Sequence, residues 1–290
     1  MPDALATTHV AVDQPLDLPL TLESGQAFRW HEDGGVWSGF IEGRLLTLER
    51  DEDGLLVTYD SATLAHAERA VRDYFRLDDD LPAIYAQLCE DERLEAAVRR
   101  HWGLRILRQD PWECLIAFIC SQNSNIPRIA GMQETLANSL GETATLGTLT
   151  RRAFPTPTAL AAAGETRLRE LGLGYRAKYV AGTAEAVAAG RLDLSSLRGA
   201  SYDDAKAALL ALPGVGEKVA DCVLLFALDQ LDAAPIDRWV RRALEDWYLG
   251  GQRLSYRDLW AWTREAFGPY AGYAQQYLFF RRRETARGKG

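Results

Sequence analysis

Lysine is nearly missing from this chain. Only four of its 33 basic residues are lysine (Lys178, Lys206, Lys218 and Lys289) and the rest are arginine. A lysine found inside a chemically suggestive motif is therefore not a default surface choice. Cysteine is sparse too: Cys89, Cys114, Cys120 and Cys222 are scattered without CxxC spacing, and none follows Cys222. That pattern disfavours a zinc site or an iron–sulfur cluster and suits a reducing, cytosolic setting. No run of about 18 or more apolar residues exists, so no membrane span is expected. The first residues, Met1-Pro-Asp-Ala-Leu-Ala-Thr-Thr-His9, lack the basic and apolar regions of a secretory signal. Positive charge is also in deficit, with a net charge of −8 and a pI near 5.2. Nucleic-acid binders are usually basic, so any contact with phosphate must come from local fields rather than from net charge.

What is present is enough apolar sequence, 47% of 290 residues, for one large core or two modest ones. Residues 18–60 read as short strands: Leu18–Leu22, Gln26–Trp30, Val36–Ile41, Arg44–Leu48 and Leu55–Tyr59, separated by Asp/Glu/Gly turns. After Leu64 the period becomes helical. Helices are expected at Ala65–Tyr74, Leu81–Leu88, Glu92–Trp102, Trp112–Cys120, Ile126–Leu140, Pro157–Ala163, Glu165–Leu171, Tyr175–Ala189, Ser201–Leu210, Lys218–Leu228, Arg238–Trp247, Tyr256–Phe267 and Gly272–Arg281. Strands first and helices after give an α+β fold: a small N-terminal antiparallel sheet domain over residues 1–88, then an all-helical domain over 89–290 that ends in a polar, frayed tail.

The most informative segment is Leu212-Pro-Gly-Val-Gly-Glu-Lys-Val-Ala-Asp-Cys222, followed 19 residues after its lysine by Asp237 in Pro235-Ile-Asp-Arg-Trp239. A glycine-rich turn (Gly214, Val215, Gly216) that opens a helix aims backbone N–H groups at a phosphate. Lys218 falls in the first turn of that helix, and an amine that loses its proton there is a nucleophile. An aspartate nearby stabilises positive charge developing on a sugar. Each feature also has a plainer reading. Lys218 could anchor a phosphate on a non-catalytic hairpin, and Asp237 could simply cap helix 238–247.

Three other segments carry chemistry. Residues 109–129 form an apolar helix, a polar turn and a second helix start; alone, that turn is a loop with good capping residues. Leu171-Gly-Leu-Gly-Tyr-Arg-Ala-Lys (171–178) sets an aromatic and cations after a glycine turn, either as a wedge into a base stack or as a helix start over plain core. Gly268–Phe280 opens a helix with Pro269 and spaces Gln275 and Phe279 at i, i+4 on one face. An amide beside an aromatic can read and stack a flipped base, although such a pair is more often core packing with a solvated neighbour. Trp239, Trp247, Trp260 and Trp262 read as core. Lys178 and Lys206 read as solvated or phosphate-facing.

Together these segments, with Ser24-Gly-Gln-Ala-Phe-Arg-Trp30, resemble over roughly residues 18–280 the two-domain 8-oxoguanine DNA glycosylases of the helix-hairpin-helix superfamily. The resemblance implies a bifunctional DNA glycosylase and abasic-site lyase that excises 8-oxoguanine, and formamidopyrimidine, opposite cytosine. Lys218 would be the nucleophile and Asp237 its acidic partner. Gly25 would offer a backbone carbonyl to N7–H of the oxidised base, Cys222 and Phe279 would sandwich it, and Gln275 would meet its Watson–Crick edge. Asn123, Arg128, Tyr175 and Arg176 would fill the gap and hold the orphaned cytosine. No cofactor is required and no iron–sulfur cluster is expected, although many relatives carry one; a monovalent or divalent cation could sit on the carbonyls of the hairpin. The partner would be damaged double-stranded DNA, with no membrane, met by a monomer in the nucleoid-bearing cytoplasm of a prokaryote.

This chain departs from the family pattern at Ser124 and Pro127, in place of an asparagine and an alanine, and at Trp239, in place of a histidine. The alternatives are a hairpin glycosylase of other base specificity or a non-catalytic DNA-binding module. Alkyl-base enzymes generally lack the hairpin lysine, and oxidised-pyrimidine enzymes usually carry the cysteine cluster missing here. If Gly25 acts in recognition rather than only in a turn, Gly25→Ala should cut excision and leave the melting temperature nearly unchanged.

Overall fold

The computed structural model describes residues 5–64 and 66–286. The first residue expected in a helix, Ala65, and residues 287–290 of the expected tail, including Lys289, lie outside them; residues 281–286, expected as frayed tail, instead continue the last helix. Strand β1 (Leu5–Ala11) is followed by helix α1 (Leu18–Glu23) and strands β2 (His31–Asp33), β3 (Val36–Ile41), β4 (Arg44–Arg50) and β5 (Gly54–Asp60). These strands form one antiparallel sheet in the order β1-β5-β4-β3-β2, with β1 closing onto β5 from Leu5 opposite Asp60 to Ala11 opposite Gly54. Helices α2 (Ala67–Tyr74), α3 (Leu81–Leu88), α4 (Glu92–Arg100), α5 (Pro111–Cys120) and α6 (Ile126–Leu140) come next. A two-stranded hairpin of β6 (Thr143–Leu146) and β7 (Leu149–Arg152) interrupts the helical part. The chain then continues through α7 (Pro157–Leu168), α8 (Ala177–Ala188), α9 (Tyr202–Leu210), α10 (Glu217–Ala227), α11 (Arg238–Trp247), α12 (Tyr256–Phe267) and α13 (Ala271–Ala286).

Short polar side chains decide where most helices begin. Asp80, Asp91, Asp110, Asn125, Thr156, Ser201 and Ser255 each accept a backbone N–H from the first turn of the helix they precede, and proline fills an early position in α3, α5, α6 and α7. The same chemistry corrects the reading of Leu18–Leu22. Asp17 Oδ1 accepts from Leu20 N at 2.8 Å with Pro19 beside it, so this β-looking run becomes helix α1. Residues 27–30 join no strand either. The buried side chain of Gln26 takes the backbone's partners instead, donating to the carbonyls of Thr21 and Arg105 and accepting from Leu107 N at 2.8 Å. Gly164, at φ 67°, breaks the helical geometry within α7, where separate helices before and after it were expected.

Two hydrophobic cores result. One lies under the sheet and holds Trp37, Leu46, Leu48, Val57, Val71 and Phe75, with Leu107 reaching in from the connecting segment. The other is built by the helices from Leu81 onward. Between them runs a seam of satisfied polar groups. Arg105, fully buried, donates to the carbonyls of Pro15 and Arg76 and to Gln14 Oε1. The β6–β7 hairpin is tied across through Arg151, which donates to the carbonyls of Arg29 and Ser38. No helix among the described residues is long and apolar enough to cross a membrane.

Candidate active site

Helices α9 and α10 and the turn between them form the hairpin read from the sequence. Gly214 has φ 76°, and a Cβ there would lie 2.5 Å from the Cβ and Cγ of Tyr179, so both backbone conformation and space require glycine. Gly216 starts α10 with no side-chain cap and open space where its Cβ would be. Among the described residues no side chain caps the first N–H groups of α10. Carbonyls in the turn are less free. Gly214 O accepts from Gln122 Nε2 at 2.9 Å, Pro213 O from Thr183 Oγ1 at 3.0 Å, and Leu212 O from Val215 N at 3.2 Å. A cation would find only their second lone pairs.

Lys218 leaves α10 toward a cavity of about 200 Å³. Its Nζ donates to Ser121 Oγ at 3.2 Å and lies 4.8 Å from the centre of the Phe118 ring, which stacks on Phe226. Asp237 lines the same cavity from the start of α11. It is also the helix cap, since Oδ1 accepts from Trp239 N and Val240 N, each at 2.8 Å. Both capping bonds use Oδ1, so Oδ2 stays outside the cap. Cys222, one turn beyond Lys218, is buried, and burial pushes its thiol up to about 12 against the opposing pull of Lys218. It therefore packs as a neutral thiol and does not compete as a nucleophile near neutral pH.

Gly25, Gln275 and Phe279 complete the wall. Gln275 is 4% exposed, and its Oε1 is buried without a partner among the described residues. An orphaned buried acceptor costs about 1–3 kcal/mol, so a ligand bringing an N–H donor is favoured there. Six residues expected from the sequence (Gly25, Lys218, Cys222, Asp237, Gln275 and Phe279) therefore meet in one cavity. Sequence reasoning missed Ser121, Phe118 and Phe28, which also line it, and noted Ser124 only as a departure from the family pattern; its hydroxyl lines the cavity too, buried with no partner among the described residues. Ser121 carried a signal, a hydroxyl in the polar turn after α5; the aromatic walls look like any other core. A larger cavity, about 440 Å³, shares Phe28 as a wall. Its Arg29 and Arg108 are bound to carboxylates, and its lining includes no lysine or cysteine.

The remaining expected residues lie outside this cavity. Asn123, at φ 48°, donates to Tyr175 Oη at 3.3 Å, and Tyr175 Oη donates to Gln122 O at 3.0 Å. Tyr175 is 41% exposed, which sets aside the alternative that it is plain core. Arg176 is only 2% exposed, with its guanidinium on the carbonyls of Gln122 and Asn123. Arg128 is exposed in the first turn of α6. Lys206 is neither solvated nor phosphate-facing: it pairs with Glu217 at 2.7 Å and with the fully buried Asp221 at 3.1 Å. Trp239 lines the cavity rather than the core, with Arg238 at 4.9 Å over its ring. The expectation for Gly25→Ala also changes. Gly25 has φ 87°, and a Cβ would lie 2.4 Å from Ile126 Cδ1, so alanine there strains the fold as well as the cavity.

The sequence matches the 8-oxoguanine DNA glycosylase N-terminal domain over residues 9–115 and the HhH-GPD superfamily of base excision DNA repair proteins over residues 116–265. It is 38% identical to the N-glycosylase/DNA lyase OGG1 of Arabidopsis thaliana over 91% of this chain and 76% of that protein. It is 32% identical to a probable N-glycosylase/DNA lyase of Methanothermobacter thermautotrophicus, covering 91% and 92%. Among solved structures, the Clostridium acetobutylicum 8-oxoguanine glycosylase/lyase bound to duplex DNA with cytosine opposite 8-oxoguanine superposes with a TM-score of 0.87 at 29% identity, covering 96% of this chain and 98% of that one.

Proposed function

The chain belongs to the 8-oxoguanine DNA glycosylase family within the HhH-GPD superfamily of base excision repair proteins, and from that membership we propose that it excises 8-oxoguanine and formamidopyrimidine opposite cytosine through a lysine Schiff base. The observation that carries this reading is a single cavity holding an amine, a carboxylate and an orphaned amide oxygen between aromatic walls. The damaged nucleotide leaves the duplex and enters that cavity, at a cost of a few kcal/mol in unstacking and unpairing. Lys218 Nζ, deprotonated, bonds to C1′ as the bond from C1′ to the base breaks. Asp237 stabilises the positive charge that builds on the sugar. Opening of the sugar ring gives an imine between Nζ and C1′. Loss of a proton from C2′ then expels the 3′ phosphate, cutting the strand by β-elimination. No step passes through a metal ion or other cofactor.

Phosphate contact is supported by an electrostatic oddity. Arg128, Lys178 and Arg238 are exposed in the first turns of α6, α8 and α11, and none has a carboxylate within salt-bridge distance among the described residues. A cation at a helix N-terminus opposes the macrodipole, an arrangement that an incoming anion relieves. Lesion-DNA affinity should therefore fall at least about tenfold between about 50 and 200 mM salt despite the acidic pI, as measured by fluorescence anisotropy. A flat or rising affinity would rule out phosphate contacts as the source of binding. The working site is the nucleoid DNA of a prokaryotic cytoplasm.

Lesion choice rests on the Gly25 carbonyl, which would accept N7–H of 8-oxoguanine and confront a lone pair in guanine. Because alanine at Gly25 strains the backbone, the substrate is the better variable. A 7-deaza analogue of 8-oxoguanine, with C–H in place of N7–H, should be excised about tenfold to a hundredfold more slowly than 8-oxoguanine. Single-turnover cleavage of duplexes carrying 8-oxoguanine, its 7-deaza analogue, formamidopyrimidine, thymine glycol or alkyladenine tests both points. Equal rates for the first two would remove Gly25 from recognition, and preference for either of the last two would overturn the assigned substrate.

A further inference from the structure

Beneath the hairpin lies a polar cluster that the chemistry above leaves unused. Asp221, fully buried on α10, accepts from Tyr202 Oη at 2.5 Å and Tyr256 Oη at 2.8 Å and pairs with Lys206 at 3.1 Å. Lys206 lies 4.8 Å from the Trp260 ring. Three helices, α9, α10 and α12, are thus pinned at one carboxylate. The Tyr256 hydroxyl does a second thing: it accepts the backbone N–H of Ile236 at 3.5 Å. Ile236 is 4% exposed, and its N–H has no other acceptor among the described residues. Its neighbours are Pro235, which has no N–H to donate, and Asp237.

We propose that Tyr256 is a positioning residue for Asp237: by bridging Asp221 on the helix of Lys218 to the backbone just before Asp237, it sets the separation of amine and carboxylate across the cavity. The inference rests on the roles proposed above for those two residues. Lys218 and Asp221 are three residues apart on one rigid helix, so fixing Asp221 fixes the base of the lysine. Asp237 begins a different helix and reaches the cavity only through residues 229–237, which have no regular structure. Burial and the neighbouring Asp221 carboxylate push the Tyr256 phenol far above its usual range. It therefore stays protonated, donating to Asp221 while its oxygen accepts from Ile236.

Tyr256→Phe keeps the packed ring and removes only the bridge. Single-turnover base excision should fall about tenfold or more, the scale expected when a reacting group is misplaced, with lesion-DNA affinity and melting temperature close to those of the parent protein. Tyr202→Phe, which takes a donor from the same carboxylate without touching Ile236, should leave the rate nearly unchanged. The deciding measurement is a double-mutant cycle: combined with Asp237→Asn, Tyr256→Phe should cost nothing further, because the group it positions is already gone. An unchanged rate for Tyr256→Phe, or the same penalty in both backgrounds, overturns the inference. If Asp237→Asn alone keeps the parent rate, the proposed roles fail first, and that result is visible independently of Tyr256. Should Tyr256→Phe melt below the assay temperature, Asp221→Asn enters the cycle in its place with the same expected dependence on Asp237.

Discussion

Lys218→Gln should abolish base release and borohydride trapping together, while lesion-containing DNA still binds. Glutamine nearly matches lysine in reach and can keep a hydrogen bond to Ser121, so the cavity is little disturbed, but an amide cannot form an imine with C1′. The other lysines among the described residues are poor substitutes. Lys206 is engaged with Asp221 and Glu217, and Lys178 is exposed on α8, over the Tyr179 ring. The assay is a single-turnover excision time course with a parallel borohydride trap on the same duplex. A crosslink formed by the variant would move the nucleophile to another residue.

The second large effect concerns Asp237. Asparagine caps helices about as well as aspartate, so Asp237→Asn retains the hydrogen bonds to Trp239 N and Val240 N and removes only the charge. Helix α11 should start where it does now, and the melting temperature should move little. Base excision should slow by about a hundredfold to a thousandfold, the scale set by removing one preorganised electrostatic contact to a transition state. Lesion binding should persist, because the carboxylate acts on charge that appears only during reaction. Asp237→Ala, which loses cap and charge together, should be equally slow and also less stable by about 1 kcal/mol. A near-parental rate for Asp237→Asn would leave this residue as a cap alone.

Much of the fold was legible because the helices are bounded by strong local signals. Leu81–Leu88, Ile126–Leu140, Arg238–Trp247 and Tyr256–Phe267 all coincide with expectation, each opened by an Asp, Asn or Ser cap. Misreadings fell where a local cap outweighs strand-like composition or where the apolar pattern is weak. Leu18–Leu22 has strand-like composition but is turned into a helix by one aspartate. Strand β1 alternates exposed and sheltered positions, but only Val10 is fully buried and the other sheltered residues are Ala6 and Thr8, so its sequence carries almost no apolar alternation. At the site, the glycine turn and its lysine announced themselves, and the i, i+4 pair Gln275 and Phe279 does line the cavity. Long-range polar pairing did not show. Nothing near Lys206 in the sequence tells that Asp221 waits 15 residues away inside the core, or that Arg176 spends its guanidinium on the carbonyls of Gln122 and Asn123.

The two separate cores have a consequence for how this protein fails. Gly25 belongs to a segment anchored on the sheet side by Leu22 and Trp30, whereas Lys218, Asp237 and Gln275 stand on helices packed around the other core. On the roles proposed above, the Gly25 part of lesion recognition and the cutting chemistry thus rest on different foundations, joined across a seam that includes Gln26, Arg105 and Arg151. Damage to the sheet, such as a cavity opened at Leu46 or Val57, should leave an enzyme that still forms imines at abasic sites but has become a poorer judge of which base to remove. Injury to the helical core should silence both. A lesion-repair protein built this way can grow careless before it grows inactive.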